Sequence, residues 1–579
     1  MLAALPLTSS GKVDRKALPA PEQPERGYVA PRTREEELLA AVWAQVLRLP
    51  RVGVDDNFFE LGGDSILSVQ IVARARQAGL LFTMRQIFEH PTVAGLARHA
   101  TITEASGASA GQGPVAGEVP LTPIQRWFFA QGFADPHHFN QALLLEPRES
   151  LDPAALERAM AAIVEHHDAL RMRFDVQAKR QENAPAEPVA PFHQVDLSGL
   201  PAPRRRQAFE RAAAALQAGF DLSAGPLTRL ALLTAGAGHP SRLLWVAHHL
   251  VVDGVSWRVL VEDLEAAYRQ AARGLRIAFP PKTTSFQEWS SRLAVYAGSE
   301  ALARELDHWR ETARVPVPRL PVDFPSGGNL VGDEDTVSFE LGAEETADLL
   351  QTLPSVYHSR IDEALLSALA RALAGWTGSP RLRVDLEGHG RESLFADIGD
   401  VDDLDVSRTV GWFTSLYPVV LEAGDAGPGD ALVSAKERLR AVPERGIGYG
   451  LLGLEAAPAA EILFNYLGQA DINSGESALF QASTASTGPN RSPRAHRTHS
   501  LEIVGIVTDG RLRITLTYGT RTHRRETVER LAAAYAGALR QLLQHSRESE
   551  EVFTPSDFPK AGLDARNFGQ LAALLAESD

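Results

Sequence analysis

Leu243-Leu244-Trp245-Val246-Ala247-His248-His249-Leu250-Val251-Val252-Asp253-Gly254-Val255-Ser256-Trp257 is the stretch on which the reading of this chain turns. Leu243 to Val246 is an apolar run of strand length. The run ends on His248-His249. Asp253-Gly254 then supplies a turn dipeptide, and Trp257 to Leu264 carries apolar residues at helical spacing. A histidine pair therefore sits where a strand gives way to a turn and a helix, a place where folds commonly put chemistry. The ordinary pKa of histidine suits proton transfer near neutral pH. Neighbours on an extended segment point to opposite faces, so at most one of the pair easily faces a given cavity. The other reads as a buried histidine bonded to backbone.

Outward from that stretch, the totals set bounds. A chain of 579 residues exceeds one ordinary domain and predicts three or four compact units. Formal net charge is 58 − 73 = −15, with no sustained basic stripe, which disfavours nucleic acid as the main partner. There is no cysteine, so disulfides, thiolate metal sites and a cysteine nucleophile are excluded, and any thiol must be brought in. No metal-ligand spacing appears. No apolar run is long enough to cross a bilayer, and the N-terminus lacks the pattern of a signal peptide. The expectation is a cytoplasmic protein with no membrane partner.

Upstream, Thr33 to His99 reads as a small helical bundle. Thr33-Arg34-Glu35-Glu36 has the cap and acidic first turn of a helix start. Leu61-Gly62-Gly63-Asp64-Ser65 precedes a second helix with Ile66, Val69, Ile71 and Val72. Ser65 stands at its N-terminus, where it serves either as the N-cap or as a modified serine whose phosphate meets the helix dipole. Thr101 to Gly117 is rich in Gly, Ala and Ser and reads as a flexible linker.

From Val119 to about Ser546 the pattern is mixed α/β, with a lobe boundary at the Pro-rich Val315 to Pro321. Leu156 to Arg173 reads as a helix whose His166-His167 pair has a capping or packing role. Beyond the boundary, Leu382 to Leu386 reads as a strand running into Glu387-Gly388-His389-Gly390-Arg391-Glu392, a tight turn with an acid at its start. A lone carboxylate there is ordinarily a salt-bridge partner. Ser474 to His499 lacks periodicity and reads as a mobile loop. Leu501–Thr508 and Leu512–Tyr518 read as a hairpin joined at Asp509-Gly510, and Glu526 to His545 as a final helix.

Three resemblances organise these pieces. Leu5-Pro6-Leu7-Thr8-Ser9-Ser10-Gly11-Lys12 resembles the last motif of an adenylation domain, in which a lysine at the position of Lys12 serves the adenylate-forming site; the rest of that domain is absent. Phe58-Phe59-Glu60-Leu61-Gly62-Gly63-Asp64-Ser65 resembles the attachment motif of a peptidyl carrier protein, which implies 4′-phosphopantetheine on Ser65. Asp64 is similar to the residue in carriers that precede epimerization domains. Glu387 to Glu392, Pro443 to Gly450 and Phe464-Asn465-Tyr466-Leu467-Gly468, together with the histidine motif, resemble an epimerization domain of non-ribosomal peptide synthetases.

The resemblance implies a multidomain protein. Residues 1–27 are an adenylation remnant and linker, 28–100 an all-α four-helix carrier bundle, and 101–118 a linker. Residues 119–550 form a two-lobed, chloramphenicol-acetyltransferase-like α/β domain of the condensation superfamily, with lobes at about 119–314 and 315–550. Residues 551–579 are a tail or docking segment, in which Thr554 to Phe558 resembles the stretch after epimerization domains and Asp564 to Glu577 reads as an amphipathic helix. The implied activity inverts the α-carbon of an aminoacyl or peptidyl thioester held on Ser65, with His249 on one face and Glu387 on the other. Asp253 orders the histidine loop, through an arginine such as Arg383. His248, Trp257 and Trp412 are structural. Asn465 and Tyr466 are candidate donors to the thioester oxygen or amine, with packing the other role for Tyr466. The implied partners are the chain's own carrier, an upstream adenylation domain, a phosphopantetheinyl transferase and, through the tail, a downstream module. The rival readings are peptide-bond formation by a condensation domain and a non-catalytic platform for the carrier.

Overall fold

Helix starts follow the capping rules. Thr33 accepts from the Glu36 N–H and opens the helix Arg34–Leu47, whose first turn carries Glu35, Glu36 and Glu37. Asp64 caps the helix Ser65–Gln77 by accepting from Ile66 and Leu67. Ser65 is thus the first helical residue and not the N-cap, because the longer Asp64 carboxylate reaches both amides. With Met84–Glu89 and Val93–Ala97 these helices close on Leu39, Trp43, Phe58, Ile71, Ile87 and Leu96.

The computed structural model describes residues 28–102, 111–187, 190–236, 238–392, 394, 404–423, 427–454, 459–469, 478–483, 485–558, 561–562 and 566–568. Lys12 and most of the Asp564–Glu577 stretch lie outside them.

Among the described residues the large domain holds three sheets, a small one of Gly117–Val119, Arg180–Asn183 and Met172–Asp175 and two larger ones. The first of the larger two has the order Phe480–Ala482, Asn140–Pro147, Arg242–His248, Thr228–Thr234, Phe192–Asp196. Leu243 to Ala247 are completely buried, so both faces of this strand are covered and its apolar run does not alternate. The second sheet has the order Glu334–Glu340, Arg511–Gly519, Leu501–Thr508, Ile462–Gln469, Arg381–Gly388, Ser415–Glu422. The hairpin turn is as read: Asp509 and Gly510 both take positive φ. Helices Ile361–Thr377 and Arg525–Glu548 pack on this sheet around Leu365, Leu369, Tyr535 and Leu539.

Two expectations are corrected. The helix read through Arg173 is Pro153–His166 and stops at His167, after which Asp168–Arg171 makes one tight turn and Met172–Asp175 becomes a strand. At the stop, His167 Nε2 lies 2.9 Å from the buried Asp263 carboxylate, which Arg408 also holds at 2.6 Å. The described part of Ser474–His499 is packed, not loose. Phe480–Ala482 joins the first sheet, Gln217 donates to Asn490, and the Arg497 guanidinium is buried and donates to Thr517 O. Its polar residues satisfy buried partners across both lobes, which composition does not report.

Candidate active site

His248 closes its strand opposite Asn140 and is completely buried. Its Nδ1 accepts from the Leu250 N–H at 3.2 Å, so its Nε2 donates to Pro136 O at 2.9 Å. Burial pushes its pKa down to about 3. His249 begins the short turn His249–Val251. Its Nδ1–H donates to Val252 O at 2.9 Å, which leaves Nε2 as the basic nitrogen. The Gln141 side-chain amide approaches that nitrogen at 2.8 Å, while Gln141 Oε1 accepts from Trp257 Nε1 at 2.8 Å and so orients the amide group. The imidazole stacks on Trp412 at 4.3 Å and Phe139 at 5.7 Å. Burial lowers its pKa, so the ring is neutral near pH 7.

Asp253 caps the helix Gly254–Ala272 through Ser256 N–H at 2.7 Å. Its arginine is Arg391, at 3.1 and 3.2 Å, and not Arg383. Arg383 donates to the carbonyls of Thr312, Ala313 and Val315, closing the end of the helix Glu300–Arg314. Arg391 comes from the turn after Glu387 and also donates to Val406 O and Thr409 O. Asp253 further accepts from Phe413 N–H. One buried ion pair thus ties the histidine turn of the first lobe to the acidic turn of the second.

Glu387 is next to last in the strand Arg381–Gly388 and pairs across to Leu416. The chain reaches Leu416 directly from Trp412, the ring on which His249 stacks. The Asn465 side-chain amide donates to the Glu387 carboxylate. Burial is the main influence on that carboxylate and pushes its pKa up to about 7; the positive fields of His499 and Arg491 and the Asn465 bond oppose it, while Glu502 adds to it. Gly390 has to be glycine: its φ is +65° and a Cβ would lie 1.7 Å from Phe413 O.

Asn465 belongs to the strand Ile462–Gln469, whose register with Leu501–Thr508 shifts between Tyr466 and Gln469. Such a bulge re-aims the strand, here toward the carrier. Gly468 takes φ +73°, and a Cβ on it would stand 2.7 Å from Asp64 Oδ2. Gln469 donates to Gly62 O at 3.1 Å, and Arg258 donates to Gln469 O at 3.2 Å. The seam continues through Val69, Met84 and Val255, then through the ion pairs Arg74–Glu262 and Arg76–Asp405. Tyr466 Oη and Asp64 Oδ2 are buried there without a hydrogen-bond partner among the described residues. Burial raises the pKa of both groups.

Sequence reasoning missed Gln141 and the place of Trp412. Gln141 breaks the polarity of the run Ala142-Leu143-Leu144-Leu145, a usable signal. Trp412 is buried, as read, but it also forms a wall of the site, and its indole N–H has no partner among the described residues. Among those residues, no group of His, Asp and Glu has the arrangement of a metal site.

Residues 37–100 match the family of the phosphopantetheine attachment site, and residues 115–563 match the condensation domain family. The whole chain is 46% identical to part of chondramide synthase cmdD of Chondromyces crocatus, and 98% of it is 44% identical to part of a linear gramicidin synthase from Brevibacillus parabrevis. It spans only 15% and 8% of the length of those relatives. The crystal structure of the epimerization domain from the third module of tyrocidine synthetase B is similar with a TM-score of 0.70 and 36% identity, over 76% of this chain and 99% of that one. The X-domain from teicoplanin biosynthesis shares the fold at a TM-score of 0.60 and 19% identity, over 77% and 100%. The chain belongs to the condensation-domain superfamily of non-ribosomal peptide synthetases, with a phosphopantetheine carrier domain ahead of its two-lobed domain.

Residues 37–100 are the phosphopantetheine attachment domain, and the surroundings of its motif serine, Ser65, fit the group. Ser65 opens a helix whose dipole favours phosphate, the cap is supplied by Asp64 and not by the serine, and the unpartnered Asp64 and Tyr466 oxygens line the adjoining seam. When bound, the arm supplies the thiol that this cysteine-free sequence lacks.

Proposed function

We propose that the two-lobed domain epimerizes the α-carbon of an aminoacyl or peptidyl thioester carried on Ser65. The observation that supports this most is the strand Ile462–Gln469: Asn465 bonds Glu387 while Gly468 and Gln469 seat the carrier loop Gly62–Asp64. One element serves the acid and receives the carrier.

Inversion needs one group to take the α-proton and another to return a proton on the opposite face. The α-proton beside a thioester is within reach of side-chain bases when the developing charge on the carbonyl oxygen is stabilised. Neutral His249 offers Nε2 as a base. Glu387, near pKa 7, holds a proton at working pH and releases it readily. That turnover leaves His249 protonated and Glu387 ionised, and in this state the roles exchange for the opposite enantiomer. Asn465 and the Trp412 indole N–H are the donors available to the oxygen charge, whereas Tyr466 lies on the opposite face of its strand, in the carrier seam. Asp253 and Arg391 hold the two turns in register.

Peptide-bond formation is the competing reading, because the matching family is named for condensation and that reaction would draw on the same histidine. It requires a second carrier and leaves Glu387 without a task. An adenylation domain would supply the loaded residue, a phosphopantetheinyl transferase would modify Ser65, and a downstream module would take the product.

The test loads Ser65 with an L-aminoacyl-pantetheine in deuterated water and follows α-deuterium and the D/L ratio after release. Deuterium uptake and a drift to a D/L mixture from either enantiomer support epimerization. Absence of uptake on both aminoacyl and peptidyl loads, with loading verified, rejects it and leaves condensation or a silent platform.

A further inference from the structure

Pro443-Glu444-Arg445-Gly446 is a turn in which Glu444, Arg445 and Gly446 all take positive φ, at 39°, 52° and 80°. Two successive non-glycine residues in that region are costly, and such strain persists only where the surroundings over-determine it. Here the surroundings are specific. Gly446 lies against the Tyr417 ring, with 2.1 Å to a Cβ built there, and Tyr417 is paired across the sheet with Leu386. Arg445 O lies beside Gly388, the residue after Glu387. The Arg445 guanidinium stands 3.5 Å from the centroid of the Phe88 ring of the carrier, and its Nε is 3.8 Å from Glu392. Glu392 in turn is 3.3 Å from His389, in the turn that follows Glu387.

We propose that Arg445 is a carrier-docking residue: its guanidinium is clamped between Phe88 of the carrier and Glu392 of the acidic turn. The left-handed turn holds the side chain out toward the carrier. Phe88 in turn is held in the carrier by Phe59 at 5.1 Å and packs with Val69, Met84 and Val255. The contact belongs to the carrier's third helix, separate from the Asp64–Gly468 contact at its second. Two separated anchors fix orientation as well as position. The surface suits a carrier with an aromatic ring at this position, and one lacking it docks more weakly. The inference deepens the reading that the thioester on Ser65 is the substrate.

The test uses the full chain. Exchange of the α-proton is compared for substrate loaded on Ser65 and for a free aminoacyl N-acetylcysteamine thioester. In Arg445→Ala the ratio of carrier-borne to free-thioester exchange falls by about tenfold or more, and Arg445→Lys recovers part of it. Phe88→Leu lowers the same ratio, and adding Arg445→Ala to it brings little further loss. A ratio equal to wild type in Arg445→Ala, or full additivity of the two changes, overturns the proposal. A fluorescent pantetheine attached to Ser65 gives a reading independent of chemistry. Its anisotropy drops in Arg445→Ala if the proposal holds and stays at the wild-type value if it does not. Wild-type chain that exchanges neither substrate overturns the epimerization reading alone, and the anisotropy still decides the role of Arg445.

Discussion

The two strand ends of the site are built alike and behave oppositely. Each is a buried strand that runs into a turn, and the same Asp253–Arg391 pair holds both turns. In each, burial disfavours the charged form. For His249 that means a ring held neutral, a base. For Glu387 it means a carboxyl held protonated up to about pH 7, an acid. One physical cause applied to a cationic and an anionic acid thus supplies complementary partners. The surroundings also differ. The His249 ring is fixed on both nitrogens and stacked on two aromatic rings, whereas the described donor to Glu387 is the neutral Asn465 amide.

The largest test removes one partner at a time. His249→Ala and Glu387→Gln should each lower α-proton exchange by about 10²–10⁴-fold while Ser65 still loads. Full activity in Glu387→Gln would break the symmetry of the pair. Next is the link between the turns. Asp253→Ala leaves the buried Arg391 charge without its carboxylate and should destabilise the domain by about 3–5 kcal/mol in denaturant unfolding. Arg383→Ala, away from that link, should cost less.

The pH dependence follows from signs. The folded-state pKa of Glu387 lies above its unfolded value, so the folded chain keeps a proton that the unfolded chain releases. Stability therefore falls as pH rises from the unfolded value, 4.5, toward about 7, and the loss stays constant above that. Glu387→Gln should be more stable than wild type at about pH 8, by up to about 3 kcal/mol, and should show no such gain at about pH 4. Equal stability at both would show that Glu387 is not held neutral.

Smaller effects sharpen the contrast. Gln141→Ala removes a donor that favours neutral His249. It should raise the histidine's pKa, move the acid limb of the rate profile to higher pH and lower the rate by about tenfold. Tyr466→Phe should reduce exchange by only about threefold, because its Oη lies in the carrier seam on the face away from Glu387. No reduction, with a gain in stability, would make Tyr466 a packing residue.

Legibility differed along the chain. The histidine strand was readable because its apolar run, its turn dipeptide and its helix are local patterns. So were the carrier helices and the hairpin at Asp509-Gly510. The residue pattern left Ser65 open between N-cap and modified serine, because serine and aspartate are both good caps and only the backbone decides which one reaches the amides. His166-His167 was readable as structural because it lies at a helix end, although its partner Asp263 was not. Arg383 was the wrong partner for Asp253 because both it and Arg391 flank Glu387 in sequence, and nothing local says which reaches the other lobe.

By itself the sequence determined the order of domains, the carrier serine, both strand-end turns and the residues with the chemistry to move a proton. These rest on periodicity, turn residues and motifs, which act over a few neighbours. The tertiary structure decided that Asn465 meets Glu387, that Gln141 and Trp412 hold His249, and that Gly468 and Arg445 receive the carrier. Those contacts join residues far apart along the chain. They arise only once the sheets and a bundle have packed, and the same packing supplies the burial that lowers the pKa of His249 and raises that of Glu387.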